Sequence, residues 1–481
     1  MMMTLGSSSI HELCDAECLA MMTSAPPHST AAADLPVPAR KRLLCMLALM
    51  SAAILAALDT TIANTALPQI STDLRSSDAA IVWVANAYQI AMIAALLPFA
   101  ALGESIGYRK VFIGGLIAFA LASAICGAAS ALPMLVVGRA IKGMGAAAIM
   151  SVIIAFIRHI YPPHRLGRGV GMNALFVAVG FTLGPVIASM VLTVASWHWL
   201  FFINVPVAAL SIALSLRFLP DAAGDRHRFE VVPATLCAAF LGLLTLGVCS
   251  VENGGGAGFA LISVGLACLC LVLLLRRQRG HPAPMLAVDL LSIRVVRLSS
   301  LTSICAFATQ SLALVSLPFF LQRSLGVSVV GTGFLLAAWP LVVGLMALVA
   351  APLSDRGRFS PGVLCSAGLL ALTVGMLALA TMPPETSEAG VALRLALCGA
   401  GFGLFQAPNM REIMSKSPTN RSGGASGLVA ISRLLGQTCG AAVVAQCFHW
   451  WQATGPVMAL WLGGGCALLG SFFSAMRLHP R

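Results

Sequence analysis

Four charged residues lie inside long apolar runs: Asp59 in 43–66, Arg139 and Lys142 in 133–156, and Arg433 in 423–446. If such runs cross a bilayer, a carboxylate at mid-depth costs roughly 2.5–3.5 kcal/mol on insertion scales and is seldom there for packing alone. A low dielectric disfavours the charged form of a carboxylate, so such a group can load and release protons near neutral pH or hold a cation. One group doing both exchanges the two by competition. The structural alternative is an Asp that reaches the outer face by way of Asn64 and Pro68. An intramembrane Arg keeps its charge and must face a cavity or a partner, unless it snorkels to the outer interface. Arg433 fits either a structural partner or a cavity residue, and Lys142 has no evident role.

Other polar residues could bind or gate. AALGESIGYRK (Ala100 to Lys110) and APLSDRGR (Ala351 to Arg358) set an acid, Glu104 or Asp355, ahead of bases that include Arg109, Lys110 and Arg356. These bases can pair with the acid or dock on helix C-termini, holding one side shut in one state. Simple anchoring explains the bases but not the acids. Tyr88, Gln89, Gln310, Trp339, Phe405, Gln406, Asn409 and Arg433 are deep polar, aromatic or charged candidates for a pocket that takes flat lipophilic cations by stacking and cation–π contact. Gly180 and Gly184 share a helix face and allow close helix approach, and Pro185 bends that helix. No metal site is expected, since Cys14 and Cys18 with His11 lack a second ligand pair.

Composition defines the elements that hold these residues. The 481 residues are 59% hydrophobic and 10% charged, with mean hydropathy +0.93, whereas soluble domains carry about 25% charge. That excludes a soluble multidomain enzyme and a disordered scaffold. The net charge of +12 is spread along the chain, which excludes a basic nucleic-acid face. Stretches of about 20 apolar residues predict fourteen transmembrane helices, near 43–66, 80–102, 111–130, 133–156, 169–192, 199–219, 231–250, 258–276, 299–322, 328–353, 361–381, 391–410, 423–446 and 456–475.

Of the 29 Lys and Arg, Arg75, Arg323 and Arg394 fall in loops of one side, and Arg139, Lys142 and Arg433 fall within spans. All others lie on the opposite side, which is therefore expected to be cytoplasmic together with both termini. Residues 1–39 carry acids before any base and no long apolar core, so a disordered cytoplasmic tail is expected rather than a signal peptide.

The two acid-plus-base loops are offset by about 251 positions, and Arg168-Gly169 and Arg421-Ser422-Gly423 open spans at a similar offset. Two related six-span halves with two spans inserted between them follow, an arrangement that places binding sites at the repeat interface. LDTTIANTALPQI (Leu58 to Ile70), the GESIGYRK loop, RAIKGMGAA (Arg139 to Ala147), GFTLGP (Gly180 to Pro185) and WHWLFFINVP (Trp197 to Pro206) stand in order on these spans. Together they resemble the major facilitator superfamily, and more narrowly its fourteen-span drug:proton antiporters of the EmrB/QacA type, over about residues 40–475.

The resemblance implies an all-α major facilitator fold: a tail (1–39), an N-terminal six-helix bundle (40–220), two extra helices with a cytoplasmic linker (221–298), a C-terminal six-helix bundle (299–476) and a cytoplasmic C-terminus (477–481). It implies proton or substrate coupling by Asp59 and Arg139, gating by Glu104, Arg109, Lys110, Asp355 and Arg356, and an antiporter helix motif at Gly180, Gly184 and Pro185. Lys142 stands outside the family pattern, Ala188-Ser189 replaces its closing glycine pair, Glu104 its usual Asp, and His198 its usual Arg.

The expected function is proton-coupled efflux of lipophilic or cationic toxic compounds by alternating access. It runs on the proton motive force without a cofactor, with the lipid bilayer, protons and small molecules as partners and no nucleic acid. No long outer loop advertises an adaptor protein. At about 150 mV one entering proton supplies roughly 3.4 kcal/mol. With Asp59 nearly alone as an intramembrane acid, monovalent or neutral substrates are expected. Export of an endogenous metabolite, such as an antibiotic or siderophore, is equally compatible. A polytopic membrane enzyme is disfavoured because no cluster of catalytic groups shares one depth, and the chain lacks a phosphate-binding Gly-rich loop.

Overall fold

The computed structural model describes residues 39–161, 166–221, 229–250, 256–278, 286–355, 360–383, 385–418 and 421–478. The tail expected over 1–39 and the loop residues Arg165, Arg226, Arg228, Arg356 and Arg358 lie outside these segments, save for Ala39. The described chain is helical: α1 (Ala39–Asp73), α2 (Asp78–Ile81), α3 (Trp83–Ile106), α4 (Tyr108–Gly127), α5 (Leu132–Ile160), α6 (Leu166–Val194), α7 (Trp199–Phe202), α8 (Asn204–Phe218), α9 (Val231–Ser250), α10 (Gly256–Arg277), α11 (Arg294–Phe319), α12 (Val329–Asp355), α13 (Pro361–Ala380), α14 (Glu388–Lys416), α15 (Ser422–Trp451) and α16 (Gly455–Ala475).

Local chemistry sets several of these ends. Ser360 and Ser387 cap α13 and α14 by accepting from Val363 N and Gly390 N, and Pro361 fills the first turn, where its missing N–H costs nothing. Among the described residues, twelve stretches are long and apolar enough to cross a membrane, against the fourteen expected. The difference has two sources. The run at 231–250 qualifies only as a shorter apolar helix, Val231–Gly247, and the last two expected spans fall in one helical stretch, Gly424–Ala475. Only the three-residue 3-10 turn Gln452–Thr454 separates α15 from α16, so no polar loop interrupts that stretch.

The repeat is visible in the packing. In the first half α1 packs on α6 and α8, α5 on α3 and α4, and α4 on α8. In the second half α11 packs on α15 and α16, α14 on α12 and α13, and α13 on α16, the same pairing in the same order. Between the halves, α9 packs on α3, α10 and α15 and so bridges them laterally.

The halves also meet directly, α6 against α12, where Gly333 lies under Ser189 and the Pro185 carbonyl. One apolar cluster draws on both halves: Ile62, Leu67 and Ile70 of α1, Leu312, Val315 and Phe319 of α11, and Val444 and Phe448 of α15. It lies toward the end opposite the basic loops. Toward the basic end the halves part around a cavity of about 740 Å³ bordered by Glu104, Arg158, Arg297 and Arg421.

Candidate functional site

Close backbone contacts bring four helices together around Asp59. A Cβ on Gly143 would run into the Tyr88 carbonyl, so its absence lets α5 lie directly on α3. A Cβ on Gly184 would collide with Thr61, and one on Gly180 would lie 2.9 Å from the Ile54 carbonyl, so α6 sits tightly on α1 as the small-residue spacing implies.

Asp59 is fully buried at 0% exposure, with Arg139 at 1% and Lys142 at 0%. Arg139 Nη1 donates to Asp59 Oδ2 at 2.5 Å, Lys142 Nζ to Asp59 Oδ1 at 2.5 Å, and Asn204 Nδ2 to Asp59 Oδ1 at 3.0 Å. Arg139 Nε donates to the Val84 carbonyl at 3.0 Å, and its guanidinium lies 4.3 Å from the Tyr88 ring centroid. Lys142 Nζ sits 4.8 Å from the Phe119 ring and 5.0 Å from the Phe201 ring. Asp59 therefore does not snorkel, and it does not face a substrate cavity as a bare carboxylate. It is enclosed by two bases, and the cluster of one acid and two bases holds one surplus positive charge when all three are ionised.

Tyr88 links this cluster to a small central cavity. With its ring against Arg139, it also lines a space of about 30 Å³ with Gln89, Thr60, Arg433 and Gln437. Arg433 Nε is buried with no hydrogen-bond partner. Gln310 is reached from Gln437 Nε2 at 3.5 Å.

Of the eight pocket candidates, Tyr88, Gln89 and Arg433 line this cavity, and Gln310 borders it through Gln437. The other four lie elsewhere. Trp339 is at 0% exposure in the core of the second half, and Phe405 packs edge-on against Phe402 and Phe307, with centroids 5.6 and 6.3 Å apart. Gln406 is exposed. Asn409 belongs to a polar network at the basic end, donating to the Ser299 carbonyl at 3.1 Å and Ser303 Oγ at 2.8 Å and accepting from Arg477 at 2.9 Å. Arg477 in turn pairs with Glu412 at 2.7 Å. Helical spacing put these residues at suitable depth but could not say which face meets the other half.

The loop candidates also separate. Arg109 docks on the C-terminal end of α8, bonding the Leu216 carbonyl and pairing with Asp221 at 2.6 Å, one of its two expected partners in kind. Lys110 is exposed, and Glu104 lines the large cavity. Asp355 ends α12, while its side chain and Arg356 lie outside what is described.

Charge pairs unmarked by any motif complete the ends. Arg323 pairs with Asp78 across the halves opposite the basic loops, and Ser71 Oγ donates to Asp78 Oδ1 at 2.9 Å. Arg421 binds Asp289 through two bonds of 2.7 and 3.0 Å at the basic end. His198 stacks on Trp197 at 3.7 Å, with Nε2 3.2 Å from the Ala129 carbonyl, a structural placement at the entry to α7. Lys142 was legible as a neighbour of Arg139, since three residues along a helix return to the same face. Gln437 likewise stands four residues after Arg433.

The profile of the Major Facilitator Superfamily matches residues 49–441. The chain is 42% identical over 452 residues to the uncharacterized transporter YebQ of Escherichia coli, covering 93% of this chain and 98% of that protein. It is 27% identical over 414 residues to multidrug resistance protein 3 of Bacillus subtilis, covering 83% and 78%. Among solved structures, the peptide transporter POT in complex with sulfate superposes with a TM-score of 0.69 at 14% identity, covering 90% of this chain and 94% of that one.

Proposed function

The chain belongs to the Major Facilitator Superfamily, and we propose that it is a secondary active exporter of lipophilic small molecules, driven by proton entry through the enclosed Asp59 cluster. It is a multi-pass integral membrane protein. Drug- and antibiotic-resistance names recur among its more distant relatives, which supports export over uptake. In this reading it crosses the cytoplasmic membrane fourteen times as an EmrB/QacA-type antiporter, with α9 and both parts of Gly424–Ala475 each counted as a crossing. Both termini and the basic loops are cytoplasmic, and the proton motive force replaces any cofactor.

The observation that carries the proposal is the cluster itself. With Asp59, Arg139 and Lys142 all ionised the buried cluster is at +1, and losing one proton brings it to neutrality. Protonating Asp59 instead would bury +2. The exchangeable proton is thus the surplus one shared by Lys142 and Asp59, and the group titrates as a unit. Tyr88 touches Arg139 on one side and the central cavity on the other, so a change in cluster charge is felt where a substrate would sit.

The conformation agrees with alternating access. The halves are closed by Arg323–Asp78 and the shared apolar cluster at one end and parted at the basic end, a state that loads from the cytoplasm. The protein is tested by expression in a host stripped of its own pumps, against a panel of cationic, neutral and anionic lipophilic compounds. At least one compound should accumulate less, and a protonophore should abolish the difference. No change for any compound would contradict export.

A further inference from the structure

The central cavity is built around a cation with no acid opposite it. Both halves contribute, with Thr60 from α1, Tyr88 and Gln89 from α3, and Arg433 and Gln437 from α15. Arg433 Nε is buried without a partner, and the ion pairs among the described residues do not include Arg433. An unpaired guanidinium at membrane depth is costly, and such residues mark pathways for the charge they bind. Asp59 is paired elsewhere, with Arg139 and Lys142, and also accepts from Asn204.

The sign of the local charge decides the class of ligand. Asp59, Arg139, Lys142 and Arg433 together carry a net +2 when ionised. A cation entering here meets repulsion and finds no free carboxylate. An anion finds a guanidinium, with Tyr88, Gln89 and Gln437 also among the residues that line the cavity.

Size narrows it further. About 30 Å³ admits a small headgroup and not a whole lipophilic molecule. About one turn along the same helices, Met92 gives way to Leu97, Met150 to Ile154 and Leu434 to Ile431, which line the cavity of about 740 Å³ together with Phe240 and Leu435.

We propose that this protein binds amphipathic organic anions, with a carboxylate on Arg433 and the apolar body lying toward the basic-end cavity. The inference departs from the cationic substrates expected of the sequence, and it rests on the export reading only for the direction of movement. Exchange of such an anion for an entering proton carries two charges in the same electrical sense.

Three compounds that share one ring system test it: 2-naphthoate, 2-naphthamide and 2-naphthylmethylammonium. Each is titrated calorimetrically into the full chain in lipid nanodiscs, with empty nanodiscs subtracted. Naphthoate should bind about tenfold more tightly than the other two or better, as expected for a charge-assisted hydrogen bond. Arg433→Gln should erase that preference and Arg433→Lys should keep part of it. Equal or stronger binding of the ammonium compound, no binding of any probe, or a preference that survives Arg433→Gln overturns the proposal. If the Gln variant does not fold, the wild-type ranking and the Lys variant decide. A cation preference would leave proton-driven export standing and remove only the anionic substrate.

Discussion

Lys142 Nζ donates to Asp59 Oδ1 at 2.5 Å with both side chains at 0% exposure, one helical turn beyond the Arg139 that holds the other carboxylate oxygen. Two bases on one acid, sealed from both cavities, make the cluster sensitive to the loss of any one charge. Asp59→Asn leaves two like charges buried and should lower stability by about 3–5 kcal/mol. Adding Lys142→Met removes one of them and should recover more than half of the loss. Unfolding of the four proteins in a double-mutant cycle measures this, and additive effects would contradict the coupling.

The Arg323–Asp78 pair closes the end opposite the basic loops. Both side chains are partly exposed, so the pair is worth at most about 1 kcal/mol and its loss should change turnover by no more than about fivefold. Arg323→Asp or Asp78→Arg should change the transport rate, and the charge-swapped double variant should return toward wild type. Transport in proteoliposomes reads this out, and a double variant as altered as the two singles combined would show that the ion pair is not the contact that matters.

Gly184→Val should be strongly damaging, because even a Cβ there meets Thr61 two residues from Asp59. Overpacking of this kind costs about 1–3 kcal/mol. Gly171→Ala on the same helix is the control, since a Cβ at Gly171 meets nothing within 4 Å. Thermal unfolding of both variants should show a clear drop for the first and little change for the second.

Anion efflux coupled to proton entry is electrogenic. Each cycle would move two positive-charge equivalents inward, so an inside-negative potential of 100 mV should contribute roughly 4.6 kcal/mol. Naphthoate efflux from proteoliposomes should therefore rise with a valinomycin-set potential at constant pH gradient. Efflux indifferent to the potential would point instead to electroneutral exchange.

Fold class and the internal repeat were legible in the sequence, because apolar run length and the one-sided placement of Lys and Arg are imposed by the bilayer itself. Span number was less so: the three-residue turn Gln452–Thr454 separates α15 from α16 with no loop between them, so the last two expected spans fall in one apolar stretch. Asp59 and Arg139 stood out because charge at membrane depth is rare. That they touch each other depends on how α1 lies on α5, which no local pattern states. Pocket residues were the least legible. Trp339 and Phe405 are aromatic and deep like Tyr88, yet they fill the second half's core, since depth along a helix does not specify which face meets the other half. The partners Asp78, Asp289 and Asp221 lie in loops and short turns where no periodicity operates.

The central claim is that proton exchange at the Asp59, Arg139 and Lys142 cluster drives the movement of substrate bound in the adjoining central cavity. Its most direct measurement is luminal pH in proteoliposomes carrying a trapped pH dye, after addition of each of the three naphthyl probes to wild type, Asp59→Asn and Lys142→Gln. Wild type should move protons opposite to at least one probe, and both variants should lose most of that movement while still inserting and unfolding cooperatively. Probe-linked proton movement absent from wild type, or unchanged in the two variants, would contradict the account.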